Sequence, residues 1–372
     1  MIKKIPLFGV ANSTEIGKIT LEVLNSGQLA NGSYVDKFEK GIGDIINQRN
    51  VVSTHDMTSA MFLSLHLSGV QPGDDVLTTS FACLSTNSAI AHCGARPVWV
   101  DLDHNSINYN LEDLVNKITE KTKAIIVYHL AGYPLATKEI ADICQTHNIK
   151  LIEDCNNALF AFYDDMHVGF YGDFSVYSFY PNRQLHTIEG GAIVCKSDDD
   201  AIRARRLRRF GIDVDLFRDV SGEIDSSADV GEIGWAYTMN NVSAAIGCAQ
   251  LEYASGKSEI TKQNALKLSQ GIENLRKVEL VKPLNDSSPS YWVLLLFVED
   301  RDKVLHAMKA MGISVSILHQ RNDRYGGFCG DGLFELPNLS SLQRAIMAIP
   351  CGWWLSDHDI NYIVTCLKKA VA

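Results

Sequence analysis

Short apolar runs rich in β-branched residues recur through the first half of the chain, at 76–79, 97–102, 124–129, 150–154, 174–179 and 192–196. Runs of this length predict strands buried on both faces. Between them, over 57–67, 111–118 and 136–145, apolar residues fall three or four apart on one face, which predicts helices. Asn110 and Thr137 stand where caps for the last two belong. Strand alternating with helix predicts an α/β fold around a mostly parallel sheet flanked by helices.

Beyond residue 240 the rhythm changes. Helical patterns over 243–254 and 262–275 form a long connector, followed by a strand at 291–298, a helix over 300–311 stopped by Gly312, a second strand at 313–318 and a closing helix over 357–371. We place a boundary near residue 255, between a large domain (1–255) and a smaller C-terminal α/β domain (256–372). The stretch 326–332 predicts a mobile loop.

With 372 residues, 46% of them hydrophobic, the chain can bury a large core. A net charge of -10 argues against a nucleic-acid partner. The one basic run, Arg203, Arg205, Arg206, Arg208 and Arg209, has helical spacing and predicts a solvated or salt-bridged face, or else contact with an anionic ligand. No apolar run is long enough to span a bilayer, and Pro6 and Gly9 interrupt the opening residues before a signal-peptide core forms. The nine cysteines are spread singly without zinc spacing, which predicts a reduced, cytoplasmic protein with no metal site. Trp353 and Trp354 predict domain packing.

In an open parallel sheet, ligands bind beyond the carboxyl ends of the strands. The run 150–154 ends there in Asp154, followed by Cys155, Asn156 and Asn157. A carboxylate so placed can keep a pyridine nitrogen protonated, or simply cap the next helix. The Ser178 hydroxyl and the amides of a helix beginning near Thr58 can bind a phosphate. The segment 80–86 reads as a helix entry.

Taken in order, the blocks GQLANGSYVDKF (27–38), VQPGDDV (70–76), GARPVWVD (94–101), HLAGYP (129–134), IEDCNNA (152–158), GDFSVYSFYP (172–181), EGGA (189–192), AAIGCAQL (244–251) and AIP (348–350) resemble the DegT/DnrJ/EryC1/StrS family of sugar aminotransferases, fold-type I enzymes dependent on pyridoxal phosphate. The resemblance implies that Asp154 faces the pyridine nitrogen, that Thr58, Ser59 and Ser178 contact the phosphate, and that Asn157, in place of a glutamine, meets the ring hydroxyl. Cys83 falls at the ring-stacking position. The family's lysine comes five residues after the phosphate-binding serine, which here is Arg183. Arginine stays protonated and cannot form the covalent link to the cofactor. Met57 replaces a glycine, Ala236 an asparagine and Thr238 an arginine.

Two readings follow from the resemblance. One is a cofactor-dependent enzyme that holds pyridoxal or pyridoxamine phosphate non-covalently and acts on a nucleotide-linked keto-sugar, with His186 as the candidate base. The other is a degenerate, non-catalytic homologue that binds a nucleotide-sugar or an active partner subunit. In that case Arg183 receives a phosphate or carboxylate, or pairs internally with Asp154 or Glu189. Segments 27–36 and 234–251 resemble the family's interface regions and imply a homodimer.

Overall fold

The computed structural model describes residues 3–328 and 334–372, so part of the loop expected over 326–332 lies outside the described residues. Seven strands form the central sheet: β1 (Val51–Thr54), β2 (Asp75–Thr78), β3 (Arg96–Trp99), β4 (Thr122–Tyr128), β5 (Lys150–Asp154), β6 (Phe174–Ser178) and β7 (Gly191–Cys195). Their order is β1-β7-β6-β5-β4-β2-β3, and β7 alone runs antiparallel to its neighbours. This is the mixed, mainly parallel sheet that the apolar runs predict. β1, four residues long, has no counterpart among them.

Helices α1 (Thr14–Ser26), α2 (Ser33–Ile46), α3 (Met57–Leu67), α4 (Leu84–His92), α5 (Leu111–Asn116), α6 (Thr137–His147), α7 (Asp198–Leu207) and α8 (Asn241–Cys248) cover the sheet. Eight of the eleven residues of α3 are buried, because it lies between the sheet and α4, and only the stripe of Thr58, Phe62 and His66 is part-exposed. Asn110 caps α5 by accepting from the Asp113 amide at 2.8 Å. Thr137 does not cap α6: it is already the first helical residue, and its hydroxyl turns back to the Leu135 carbonyl.

Three aspartates open α7 and Arg205 and Arg206 close it, in keeping with the helix dipole. Four arginines of the basic run are paired inside the chain: Arg203 with Glu232, Arg206 with Asp213, and Arg205 and Arg208 with Glu39 of α2. Burial pushes the Glu39 carboxyl up, but the two guanidiniums and the Ser53 amide outweigh it and hold the group below its usual range.

After a break at Ala249 and Gln250, α9 (Leu251–Ile272) runs unbroken for 22 residues, so residue 255 lies inside it. The C-terminal part holds a three-stranded antiparallel sheet, β8 (Val278–Leu280), β9 (Leu294–Val298) and β10 (Ile346–Ile349) in that order, with α10 (Arg301–Ala310), α11 (Pro337–Ala345) and α12 (Asp357–Val371) around it. The expected strand at 313–318 is absent. That stretch makes only single bridges, Ile5 to Ile313 and Ser316 to Ala348, and ends where Leu318 turns to φ 63°. Trp354 fills the space over Gly9 and Gly352, and Trp353 meets it edge-on, the packing role expected of them. Among the described residues no helix is long and apolar enough to cross a membrane.

Candidate functional site

Strand β5 ends on two carboxylates that point to opposite faces. Glu153 pairs with His129, whose Nε2 lies 3.0 Å away while its Nδ1 accepts from the Leu135 amide. The amides of Gly169 and Gly172 also donate to Glu153. His129, Glu153 and the buried Cys155 sit close enough to suggest a metal centre, yet the histidine and carboxylate atoms are already engaged. This trio is structural.

Asp154 faces the other way and is fully buried. The Thr86 hydroxyl donates to one of its oxygens at 2.6 Å, and the amide and side chain of Asn156 donate to the other at 3.1 and 2.8 Å. Among the described residues no cation pairs with it. Burial pushes its carboxyl above the usual range, against the pull of the Thr86 and Asn156 bonds. A buried charge with hydrogen bonds but no counter-ion suits a cationic ligand atom.

Tyr128 ends the neighbouring β4. Asn157 Nδ2 donates to its hydroxyl at 3.1 Å, and the same hydroxyl lies 3.0 Å from His319 Nε2. Asn157 Oδ1 is buried without a partner, while its carbonyl accepts from Gln184 and Ser290. Burial, helped by the Arg183 charge, brings His319 down to about 4, so the ring is neutral at pH 7. Burial and the Asp154 charge keep the Tyr128 phenol protonated.

Arg183, half-buried, lies within electrostatic reach of Tyr128, Cys83 and Asp154. Its Nη1 donates to Asn182 at 2.6 Å, and its guanidinium sits 4.8 Å from the Trp292 ring centroid. Trp292 is fixed in turn by Phe8, stacked at 4.3 Å, and by a bond to the Asn182 carbonyl. Among the described residues Arg183 Nε is buried without a partner, and the alternative of an internal salt bridge to Asp154 or Glu189 is not realised. Cys83 is the N-cap residue of α4, with the Ser85 hydroxyl 3.1 Å from its sulfur.

The phosphate-binding candidates lie at the start of α3. Asp56 caps that helix, taking the Ser59 amide at 2.7 Å, and its second oxygen is 2.8 Å from His55 Nε2. Burial pushes Asp56 up, but the bonds from His55 and Ser59 prevail and bring it to about 2. The carboxylate is therefore ionised at the helix N-terminus where Thr58 and Ser59 were expected to receive a phosphate. Gly191 of β7 passes so close that a Cβ there would lie 2.5 Å from the Asp56 carbonyl oxygen. Ser178 ends β6, its hydroxyl accepting weakly from the Tyr180 amide at 3.4 Å. Met57 points into the core beneath.

His186 is not available as a base. Its Nε2 meets the Ala11 carbonyl at 2.7 Å, its Nδ1 accepts from the Ile188 amide, and the ring is buried. The three-residue offset from Arg183 turns it toward the N-terminal segment. Ala236 and Thr238 make single bridges to Arg209 and Thr54 of this chain. A cavity of about 1260 Å³ between α2 and the end of α7 is lined by Thr238 and by Arg205, Arg208 and Arg209 of the basic run, but by none of the residues expected at the ring or the phosphate.

Sequence reasoning missed Asp56, Tyr128, Trp292 and His319, and it passed over Thr86 by reading the segment 80–86 as a helix entry. Asp56 carried a signal, an aspartate just before a helix start, and so did Tyr128, at the carboxyl end of a central strand. Trp292 and His319 carried none.

Residues 11–368 match the DegT/DnrJ/EryC1/StrS aminotransferase family. The sugar aminotransferase CalS13 of Micromonospora echinospora shares 30% identity, with a TM-score of 0.92 covering 99% of this chain and 100% of that one. GDP-perosamine synthase of Escherichia coli O157:H7 is 29% identical over 82% of this chain and 81% of its own length. Spr1654 of Streptococcus pneumoniae, solved in its PMP form, shares the fold at 20% identity, with a TM-score of 0.91 and 99% of each chain covered. With nearly its whole length matched, the chain belongs to the DegT/DnrJ/EryC1/StrS aminotransferase family, whose members depend on pyridoxal or pyridoxamine phosphate.

Proposed function

We propose that this chain is a lysine-free sugar aminotransferase homologue that holds pyridoxal or pyridoxamine phosphate without a covalent link and acts on a nucleotide-linked keto-sugar. Its place is deoxyamino-sugar or surface-polysaccharide biosynthesis, in keeping with the relatives named above. The proposal includes a cytoplasmic homodimer and a division of each protomer near residue 255.

The observation that carries the reading is Asp154, a buried carboxylate without a counter-ion, beside the buried and unpartnered Asn157 Oδ1. These groups fit the protonated nitrogen and the hydroxyl of a pyridine ring. When bound, such a ring supplies an electron sink. Asp154 would hold its nitrogen protonated, Asn157 would orient it, and Ser178 and Ser59 would offer hydroxyls to the phosphate. Arg183 does not fit covalent attachment, which favours the amine form of the cofactor, since that form brings its own nitrogen.

Asp56 favours a second reading, the degenerate homologue, because a carboxylate already occupies the start of α3. Titration of the purified protein with pyridoxal phosphate and with pyridoxamine phosphate, followed by calorimetry and absorbance, separates the two. Saturable binding of the amine form is the expected result. Binding of neither overturns the cofactor reading and leaves the degenerate homologue. In Arg183→Lys, pyridoxal phosphate should acquire the absorbance of a covalently attached cofactor.

A further inference from the structure

Replacing an amine nucleophile by a guanidinium does more than remove a base. It installs a permanent cation with a planar set of donors. Here one Arg183 N–H is engaged with Asn182, Nε is buried without a partner, and the guanidinium plane is held against Trp292. A fixed fork with vacant donors is a preorganised receptor for oxygen-bearing anions.

The surroundings suit that use. The Tyr128 hydroxyl accepts from Asn157 Nδ2 and lies 3.0 Å from His319 Nε2, and in the tautomer whose Nε2 accepts the phenolic proton the neutral ring presents its own proton on Nδ1. Nδ1 bonds to no described residue. The ring is placed there by a tight turn in which Leu318 takes φ 63° and the His319 amide closes on the Ile317 carbonyl at 2.9 Å. A left-handed leucine is a strained residue, and such strain persists where the surrounding structure enforces one geometry. Asp154, the nearby carboxylate, has its oxygens directed to Thr86 and Asn156. Cys83, which opens α4 beside the cluster, provides no side-chain acceptor for that helix's first amides.

We propose that Arg183 and His319, with Tyr128 positioning the imidazole, form an oxyanion subsite for a carboxylate or phosphate group at the place where the family lysine would stand. The subsite does not depend on the cofactor reading, and it can be tested without pyridoxal derivatives.

The test is calorimetric titration of the purified full-length protein with sodium acetate and, separately, with inorganic phosphate at constant ionic strength. The expected result is saturable binding with a dissociation constant on the order of millimolar. It should weaken about tenfold or more in Arg183→Gln and by a smaller factor in His319→Gln. Preference for acetate assigns the site to a carboxylate, and preference for phosphate assigns it to a phosphate ester. Failure of both anions to saturate the unaltered chain overturns the proposal, and so does unchanged affinity in Arg183→Gln. If circular dichroism shows that Arg183→Gln has lost its fold, His319→Gln decides, and unchanged affinity there is the overturning result. Acetate binding retained in a protein that ignores pyridoxamine phosphate would sink the cofactor reading and leave the subsite standing.

Discussion

Asp154 and Asp56 are aspartates at opposite ends of the candidate site, and the chain treats them differently. Asp154 is fully buried, with neutral donors around it and its carboxyl pushed up. Asp56 is half-buried at a helix N-terminus, with a histidine and an amide bringing its carboxyl to about 2. The first is a charge that lacks a partner; the second has one already. On the proposed reading, the ring end of the site keeps a carboxylate that a cationic ligand atom would satisfy, whereas the phosphate end is satisfied from within.

The sharpest way to break this contrast is Asp154→Asn, whose Oδ1 can keep the Asn156 bonds while its Nδ2 donates to the Thr86 hydroxyl. Pyridoxamine phosphate affinity should fall about a hundredfold, on the order of the 3 kcal/mol associated with breaking a buried charge pair. Calorimetry that finds no loss would remove Asp154 from ligand binding.

The opposite end is probed by Asp56→Ser, which retains a capping hydroxyl while removing the negative charge. Affinity for pyridoxamine phosphate should rise about tenfold, since a carboxylate beside the phosphate is repulsive. An unchanged value in the same titration would mean that the phosphate does not lie at the start of α3.

Without ligand, Asp154→Asn should stabilise the protein by about 1 kcal/mol or more at neutral pH. The sign follows from the raised folded-state pKa. Asp154 favours folding below its ordinary value of 3.8 and loses that contribution as pH rises through the folded value. Urea unfolding should therefore show the gain of the variant vanishing below pH 3.8.

The smallest effect is expected at His186. Its replacement by glutamine should cost about 1 kcal/mol through the Ala11 bond and leave ligand affinity unchanged. A large loss of affinity with intact stability would return His186 to the site.

Much of the sheet was legible because buried parallel strands write themselves as continuous apolar runs. β5 and α3 were found to the residue, while β1, only two of whose four residues are apolar, and α1 and α2 went unread. Asp154 was legible for a topological reason, its place at a strand's carboxyl end. The Tyr128 and His319 pair was not: the two lie 191 residues apart, and neither sits in a local pattern that points to the other. Nor does spacing reveal that Trp292 and Phe8 would stack beneath Arg183, since contacts between distant segments leave no periodicity. His186 was misplaced because counting along a loop says nothing of the direction in which each side chain turns.

Helix α9 carries a mechanical consequence. At 1.5 Å per residue its 22 residues make a strut of about 33 Å. One end follows Gln250, whose side chain is bonded to both the amide and the carbonyl of His186, three residues from Arg183. The other end carries Leu268 and Ile272 into the core beneath the C-terminal sheet. The strut thus ties the core of the C-terminal sheet to the loop of Arg183 through the two Gln250 bonds to His186.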